Sequence, residues 1–322
     1  MKLSDFSTKP VQAIGLATCA MFLSGCFDKD IDESVVFKPR EISEKNDDIS
    51  NTKLINEVSL TQPSSDELID AKGYAAHLPA SIEHGFWGKE ESKIAWTLVS
   101  SVASAENDRK RPLIVNCFGN VGDRVKDGVW TTKKNFAWGD VLMFDYPGYG
   151  DSPGVASTES MHNMHRLVSD EIDKLGADRP IVLWGHSLGG FVCSELGRTA
   201  REPDAIVLEA TALNVKEVAK SWKPWYLPFV GVDIKESLND YDNARALAHF
   251  KGPIIVLGAK KDETLEVGLA RSLRKALKKR GVNMSYLEFK KAGHSNISEQ
   301  YDYFKRLNPL LADVQDLKHS QE

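Results

Sequence analysis

The chain has 322 residues, 42% of them hydrophobic, with 41 Lys and Arg against 46 Asp and Glu, a net charge of −5 and a pI near 6.0. The acidic balance argues against nucleic acid as a partner, because phosphate binding needs a basic face, and the apolar content supports a sizeable core and excludes wholesale disorder. Four cysteines are too few for a disulfide scaffold, and beyond the first 25 residues no apolar run reaches the roughly 18 residues of a membrane span.

The amino terminus comes first. Lys2 and Lys9 precede an apolar run at 11–23, too short to span a bilayer comfortably and of the length of a secretory signal. The run ends in Leu23-Ser24-Gly25-Cys26. This resembles the bacterial lipobox, which implies cleavage before Cys26 and lipidation of its thiol. The mature chain would lose Lys2, Lys9 and Asp5 and carry a charge of −6. In Gram-negative lipoproteins an Asp after the cysteine favours the inner membrane. Phe27 stands there instead, so the expected location is the cell envelope, at the periplasmic face of the outer membrane. Residues 1–25 are thus a signal peptide, and 26–72, polar and without a sustained period, a lipidated and flexible tether. A short helix is expected near 64–71. Residues 73–322 are expected to form one folded domain. Its cysteines, Cys117 and Cys193, are expected to be small buried core residues, with pairing as the alternative in an oxidising compartment.

From residue 73 the pattern changes. Residues 94–99 read as a strand. Continuous apolar runs at 112–117, 141–144, 181–184, 205–208 and 253–257, with a last strand at 284–289, fit strands buried on both faces. Helical patterns lie at 124–137, 158–176, 188–200 and 265–280. Strand alternating with helix predicts an α/β fold, a mostly parallel sheet with helices on both faces. Chemistry is then sought at the carboxyl ends of the strands.

After the strand ending at Trp184 comes Gly185-His186-Ser187-Leu188-Gly189-Gly190, and then a helix. This is G-x-S-x-G, a sharp turn that lifts Ser187 above the sheet, with glycines where side chains would collide. Ser187 needs a general base. His294, in Ala292-Gly293-His294-Ser295-Asn296 after the last strand, is the best placed. The acid that orients it should follow the strand ending at Leu257, where Asp262 is the first choice and Glu263 the alternative. Glu209, one strand earlier, is a second alternative. The backbone N–H of Leu188, at the helix start, is one oxyanion donor.

The order Ser187, Asp262, His294 and these motifs together resemble the α/β-hydrolase superfamily over about 73–312, in particular the branch of serine aminopeptidase-like and depalmitoylase-like hydrolases. That branch has His-Gly-Asn-x-Gly where this chain has Phe118-Gly119-Asn120-Val121-Gly122, and the resemblance implies that the Asn120 N–H is the second oxyanion donor. Phe118 replaces the usual His. In Asp145-Tyr146-Pro147-Gly148-Tyr149-Gly150, Pro147 replaces the usual Arg. A short cap is expected at about 211–250, and its Trp222, Trp225 and Tyr226 suggest an apolar acyl pocket, or packing of the cap onto the body. The basic run 271–280 is read as a solvated helix face with Leu269, Leu273 and Leu277 turned inward. The chemistry calls for no cofactor and no metal. The expected partners are a small-molecule or acyl substrate, palmitate among the acyl groups, and a bilayer reached through Cys26; the chain is expected to be a monomer. The expected activity is that of a membrane-anchored serine esterase or thioesterase, with a peptidase or amidase, or a non-catalytic envelope lipoprotein, as alternatives.

Overall fold

A computed structural model describes residues 31–40, 80–101, 111–200, 202–222 and 232–316. In chain order it contains the one-turn helix α1 (Glu33–Val36), β1 (Ala80–Trp87), β2 (Ile94–Ser101), β3 (Leu113–Cys117), α2 (Arg124–Asn135), β4 (Asp140–Phe144), α3 (Thr158–Leu175), β5 (Ile181–His186) and α4 (Leu188–Thr199). Then follow β6 (Ala205–Glu209), α5 (Val215–Ser221), α6 (Asn243–Ala246), β7 (Ile254–Ala259), α7 (Val267–Lys279), β8 (Met284–Phe289) and α8 (Tyr303–Asp316).

The eight strands form one sheet in the order β1-β2-β4-β3-β5-β6-β7-β8. The β1–β2 and β2–β4 pairings are antiparallel, and all the others are parallel. This is the α/β-hydrolase fold expected from the sequence. The two-residue period of a strand splits the central side chains between two cores. Leu113, Val115, Ile181 and Leu183 join α3, α4 and α7 on one face. Ile114, Val182 and Trp184 join α8 and Trp138 on the other, where Trp138 stacks on Trp184 with ring centroids 5.4 Å apart.

Local signals agree with this packing. The Asp123 side chain caps α2 by accepting from the Lys126 N–H, and Ser157 and Ser160 form a reciprocal capping box at the start of α3. In α7, Leu269, Leu273 and Leu277 are buried, and Arg271 turns outward to a bidentate pair with Glu288 at 2.8 and 2.9 Å.

Three features differ from the sequence reading. The strand β1 and the helix α8 were not anticipated: β1 is a largely exposed edge strand with Gly85 against the Trp96 ring, and Pro309 interrupts the helical signal of α8. Cys117 and Cys193 are buried as expected but are joined in a disulfide, with Cα atoms 6.0 Å apart. The strand and the helix cross closely enough for a bridge, a proximity that sequence spacing cannot show. The third feature is the segment 31–40. It falls in the stretch read as a flexible tether, yet it packs on the domain, with Val36 and Phe37 buried. Cys26, the helix expected near 64–71, Trp225 and Tyr226 lie outside the described residues.

Candidate active site

Parallel strands place their carboxyl ends along one edge, and the loops after β3, β4, β5, β7 and β8 meet there. Ser187 sits between β5 and α4 at φ 54° and ψ −118°. A left-handed backbone on a residue with a Cβ costs on the order of 1–3 kcal/mol and persists only where neighbours enforce it. Here the Ser187 N–H donates to the Glu209 carbonyl at 2.9 Å, and its own carbonyl accepts from the Thr211 hydroxyl at 2.7 Å. A Cβ on Gly185 would strike the Gly189 carbonyl, and one on Gly189 the Cys117 carbonyl. Both glycines are therefore required for the turn to close on itself and on the end of β3.

His294 follows β8 and Asp262 follows β7. The Asp262 carboxylate can only accept, so the His294 Nδ1 carries a proton and donates it to Asp262 Oδ2 at 2.7 Å. Nε2 is left as the free basic nitrogen. The other oxygen, Oδ1, accepts the backbone N–H groups of Thr264 at 2.9 Å and Leu265 at 2.7 Å. Asp262 is buried, whereas Glu263 is exposed.

His186 joins this pair to the elbow. Its Nε2 lies 2.9 Å from the His294 carbonyl, to which it donates, and the two rings are 4.9 Å apart. Burial, then the neighbouring His294, push the His186 pKa down to about 4. His186 is thus a neutral ring that holds the His294 loop beside the Ser187 turn.

Glu209 has a different attachment. It is fully buried, and its Oε2 accepts from Lys134 Nζ and from the Trp184 indole N–H, each at 2.8 Å. Burial pushes its pKa up, but Lys134 and the other donors outweigh this and the net shift is downward. It is committed to Lys134, itself lodged over the Trp130 and Trp184 rings.

The loop after β3, where the oxyanion donor Asn120 is expected, packs against the Ser187 turn. Gly119 lies so close that a Cβ there would come within 2.8 Å of His186 Nδ1 and 3.3 Å of Ser187 Cβ. Leu188 opens α4, where a first-turn N–H has no intrahelical acceptor and can meet an anion. The loop is braced from the segment after β4: Tyr146 Oη donates to the Phe118 carbonyl at 2.7 Å and Tyr149 Oη to Asn120 Oδ1 at 3.0 Å. Phe118 packs with Phe136 and Met143, so its ring anchors the loop in the core. Pro147 supplies no guanidinium, but Arg124 from α2 does, with Nε 3.1 Å from the buried Asp145. A cavity of about 220 Å³ lies on the α2 side of the elbow, lined in part by Asn116, Gly119, Trp130, Lys134, His186 and Ser295. Trp222 is at the end of α5, 38% exposed, and does not line it.

Known proteins resemble this chain in part of its sequence and in its fold. The alpha/beta hydrolase family matches residues 84–235, and the prolyl oligopeptidase family matches residues 167–315. The lysophosphatidylserine lipase ABHD12 of Rattus norvegicus is 33% identical over 177 residues, 50% of this chain and 44% of the rat protein. That of Xenopus tropicalis is 29% identical over 229 residues, 66% of this chain and 58% of the frog protein. The matches thus span about half the length of these relatives. Among solved structures, an esterase of Pyrobaculum calidifontis superposes with a TM-score of 0.52 at 17% identity, covering 83% of this chain and 93% of its own. The esterase Pf2001 of Pyrococcus furiosus gives 0.52 at 15%, covering 71% and 93%. These structures share the fold.

Proposed function

We propose that this chain is a serine hydrolase, lipid-anchored through Cys26 in the cell envelope, that cleaves carboxylic ester or thioester bonds through an acyl-Ser187 intermediate. The observation that carries the reading is the strained Ser187 turn beside a His294–Asp262 pair closed at 2.7 Å. Ser187 Oγ attacks the substrate carbonyl carbon while its proton passes to His294 Nε2. The carbonyl oxygen takes the negative charge and is met by the N–H groups of Leu188 and Asn120, donors worth about 3 kcal/mol each in such sites. Collapse expels the alcohol or thiol, which takes the proton from His294. Water then attacks the acyl-serine by the same route. Asp262 fixes the tautomer and stabilises the imidazolium. The similarity to proteins named lysophosphatidylserine lipases supports an acyl lipid as substrate.

The test is fluorophosphonate labelling and p-nitrophenyl ester hydrolysis, wild type against Ser187→Ala. The wild type should label and turn over, and the variant should lose labelling and about 10⁶-fold in kcat. A wild type that neither labels nor hydrolyses would instead favour a binding lipoprotein. A peptidase or amidase is the second reading, favoured by the match of residues 167–315 to the prolyl oligopeptidase family. Matched ester and aminoacyl-amide substrates separate it from the first, since amide cleavage demands protonation of a poorer leaving group.

A further inference from the structure

The segment Ile31–Arg40 crosses the edge of the sheet that carries the site. Ile31 pairs in parallel with Ile234, its N–H donating to the Asp233 carbonyl and its carbonyl accepting from Lys235, each at 2.9 Å. Glu33 accepts from Lys235 at 3.1 Å, from Ser237 at 3.2 Å and from the Thr158 N–H at 3.2 Å, and it also binds the Thr158 hydroxyl. That hydroxyl, with the other donors, pulls the Glu33 pKa down to about 2. Phe37 meets the Tyr241 ring edge-on at 5.8 Å. The Lys38 N–H donates to Asn120 Oδ1 at 2.8 Å, and Arg40 lies 3.4 Å from Asp127. The strap therefore touches the cap, the start of α3, the oxyanion loop and the start of α2.

Only four residues, 27–30, separate Ile31 from Cys26. Fully extended, that link reaches at most about 18 Å. A domain of this size has a radius of gyration of about 18 Å and is roughly 45 Å across. A membrane-anchored Cys26 so close to the strap cannot let the far edge of the sheet face the bilayer. The near edge also carries apolar side chains that the core does not use. Val121, in the oxyanion loop, is 43% exposed at φ 63°, a conformation a β-branched residue adopts only under constraint. Val155, in the loop after β4, is 78% exposed, and Trp222 ends α5, whose exposed Lys216 and Lys220 suit anionic headgroups.

We propose that the strap Ile31–Arg40 holds the mouth of the Ser187 site against a lipid bilayer, with Val121, Val155 and Trp222 as the contacting apolar residues. The proposal deepens the reading above, on whose Cys26 anchor it rests. The remaining residues of the expected tether, 41–72, follow the strap in the chain, so they do not set the distance between Cys26 and the domain.

The test uses the lipidated full chain in phosphatidylethanolamine–phosphatidylglycerol vesicles containing a doxyl-labelled lipid. A bimane is placed at Val155→Cys, with Ser221→Cys as a second reporter on this edge, and at Lys174→Cys near the opposite edge. Bimane at 155 and 221 should be quenched and bimane at 174 should not. Inserting twenty Gly/Ser residues between Asp28 and Lys29 lengthens the link about fivefold. By the −3/2 power dependence of effective concentration it should lower hydrolysis of a vesicle-borne acyl ester roughly tenfold, while hydrolysis of soluble p-nitrophenyl butyrate stays unchanged. Equal quenching at both edges, quenching at neither, or an insertion without effect would overturn the proposal. Loss of soluble-ester hydrolysis in the wild type would refute the enzymatic reading alone, because the quenching pattern decides the surface independently.

Discussion

Two carboxylates stand at the ends of neighbouring parallel strands. Asp262 follows β7 and Glu209 ends β6, and both are buried. Asp262 keeps one oxygen on backbone N–H groups and turns the other to His294. Glu209 turns to Lys134 and Trp184. Burial at this edge of the sheet therefore does not distinguish the two carboxylates. The partner each side chain reaches does: His294 for Asp262, and the buried Lys134 ammonium for Glu209.

The sharpest break of this comparison is in catalysis. Asp262→Asn should lower kcat for p-nitrophenyl esters about 10⁴-fold by favouring the wrong His294 tautomer. Glu209→Gln should leave kcat within about tenfold of wild type. An inversion of these two results would reassign the acid. The next break is in stability. Lys134→Met strands a buried carboxylate and should cost about 3–5 kcal/mol in urea unfolding, while Lys134→Met with Glu209→Met should recover most of that loss.

A smaller effect is expected with pH. Burial lowers the His165 pKa to about 3 and the His186 pKa to about 4 from an ordinary 6.5. The unfolded chain then takes up protons below about pH 6.5 while the folded chain does not. Both contributions are complete above that pH, and they are lost as it falls toward 4 for His186 and toward 3 for His165. His165→Leu should flatten the acid slope of stability by at most about 1.4 kcal/mol per pH unit, read from urea midpoints at pH 7 and 4.5. The smallest effect belongs to Glu263→Gln. Its side chain is exposed, and the change should stay within about 0.5 kcal/mol in stability with little change in kcat.

The central strands were legible in the sequence because burial on both faces writes an unbroken apolar run, as in β3 and β7. Ser187 was legible because its strained turn demands glycine at 185 and 189. Which of Asp262 and Glu209 meets His294 was not, because Glu209 is held by Lys134, 75 residues away in the chain. Nor was the strap. Its polar anchors are backbone groups of Ile31 and Lys38 and the side chains of Glu33 and Arg40, and its buried apolar residues, Val36 and Phe37, are too few to leave a periodic hydrophobic mark. The support for Asn120 from Tyr149 and the Lys38 N–H is likewise a matter of contact between distant segments.

The bridge between Cys117 and Cys193 spans 76 positions and links the strand end that leads into the Phe118–Gly122 loop with the helix that follows Ser187. A closed loop of that length lowers the entropy of the unfolded chain by an amount worth about 4.5 kcal/mol, on a chain-entropy view. Both sulfurs are shielded from solvent. A reductant can meet them only after sheet and helix separate, so the crosslink is guarded by the same packing that it reinforces.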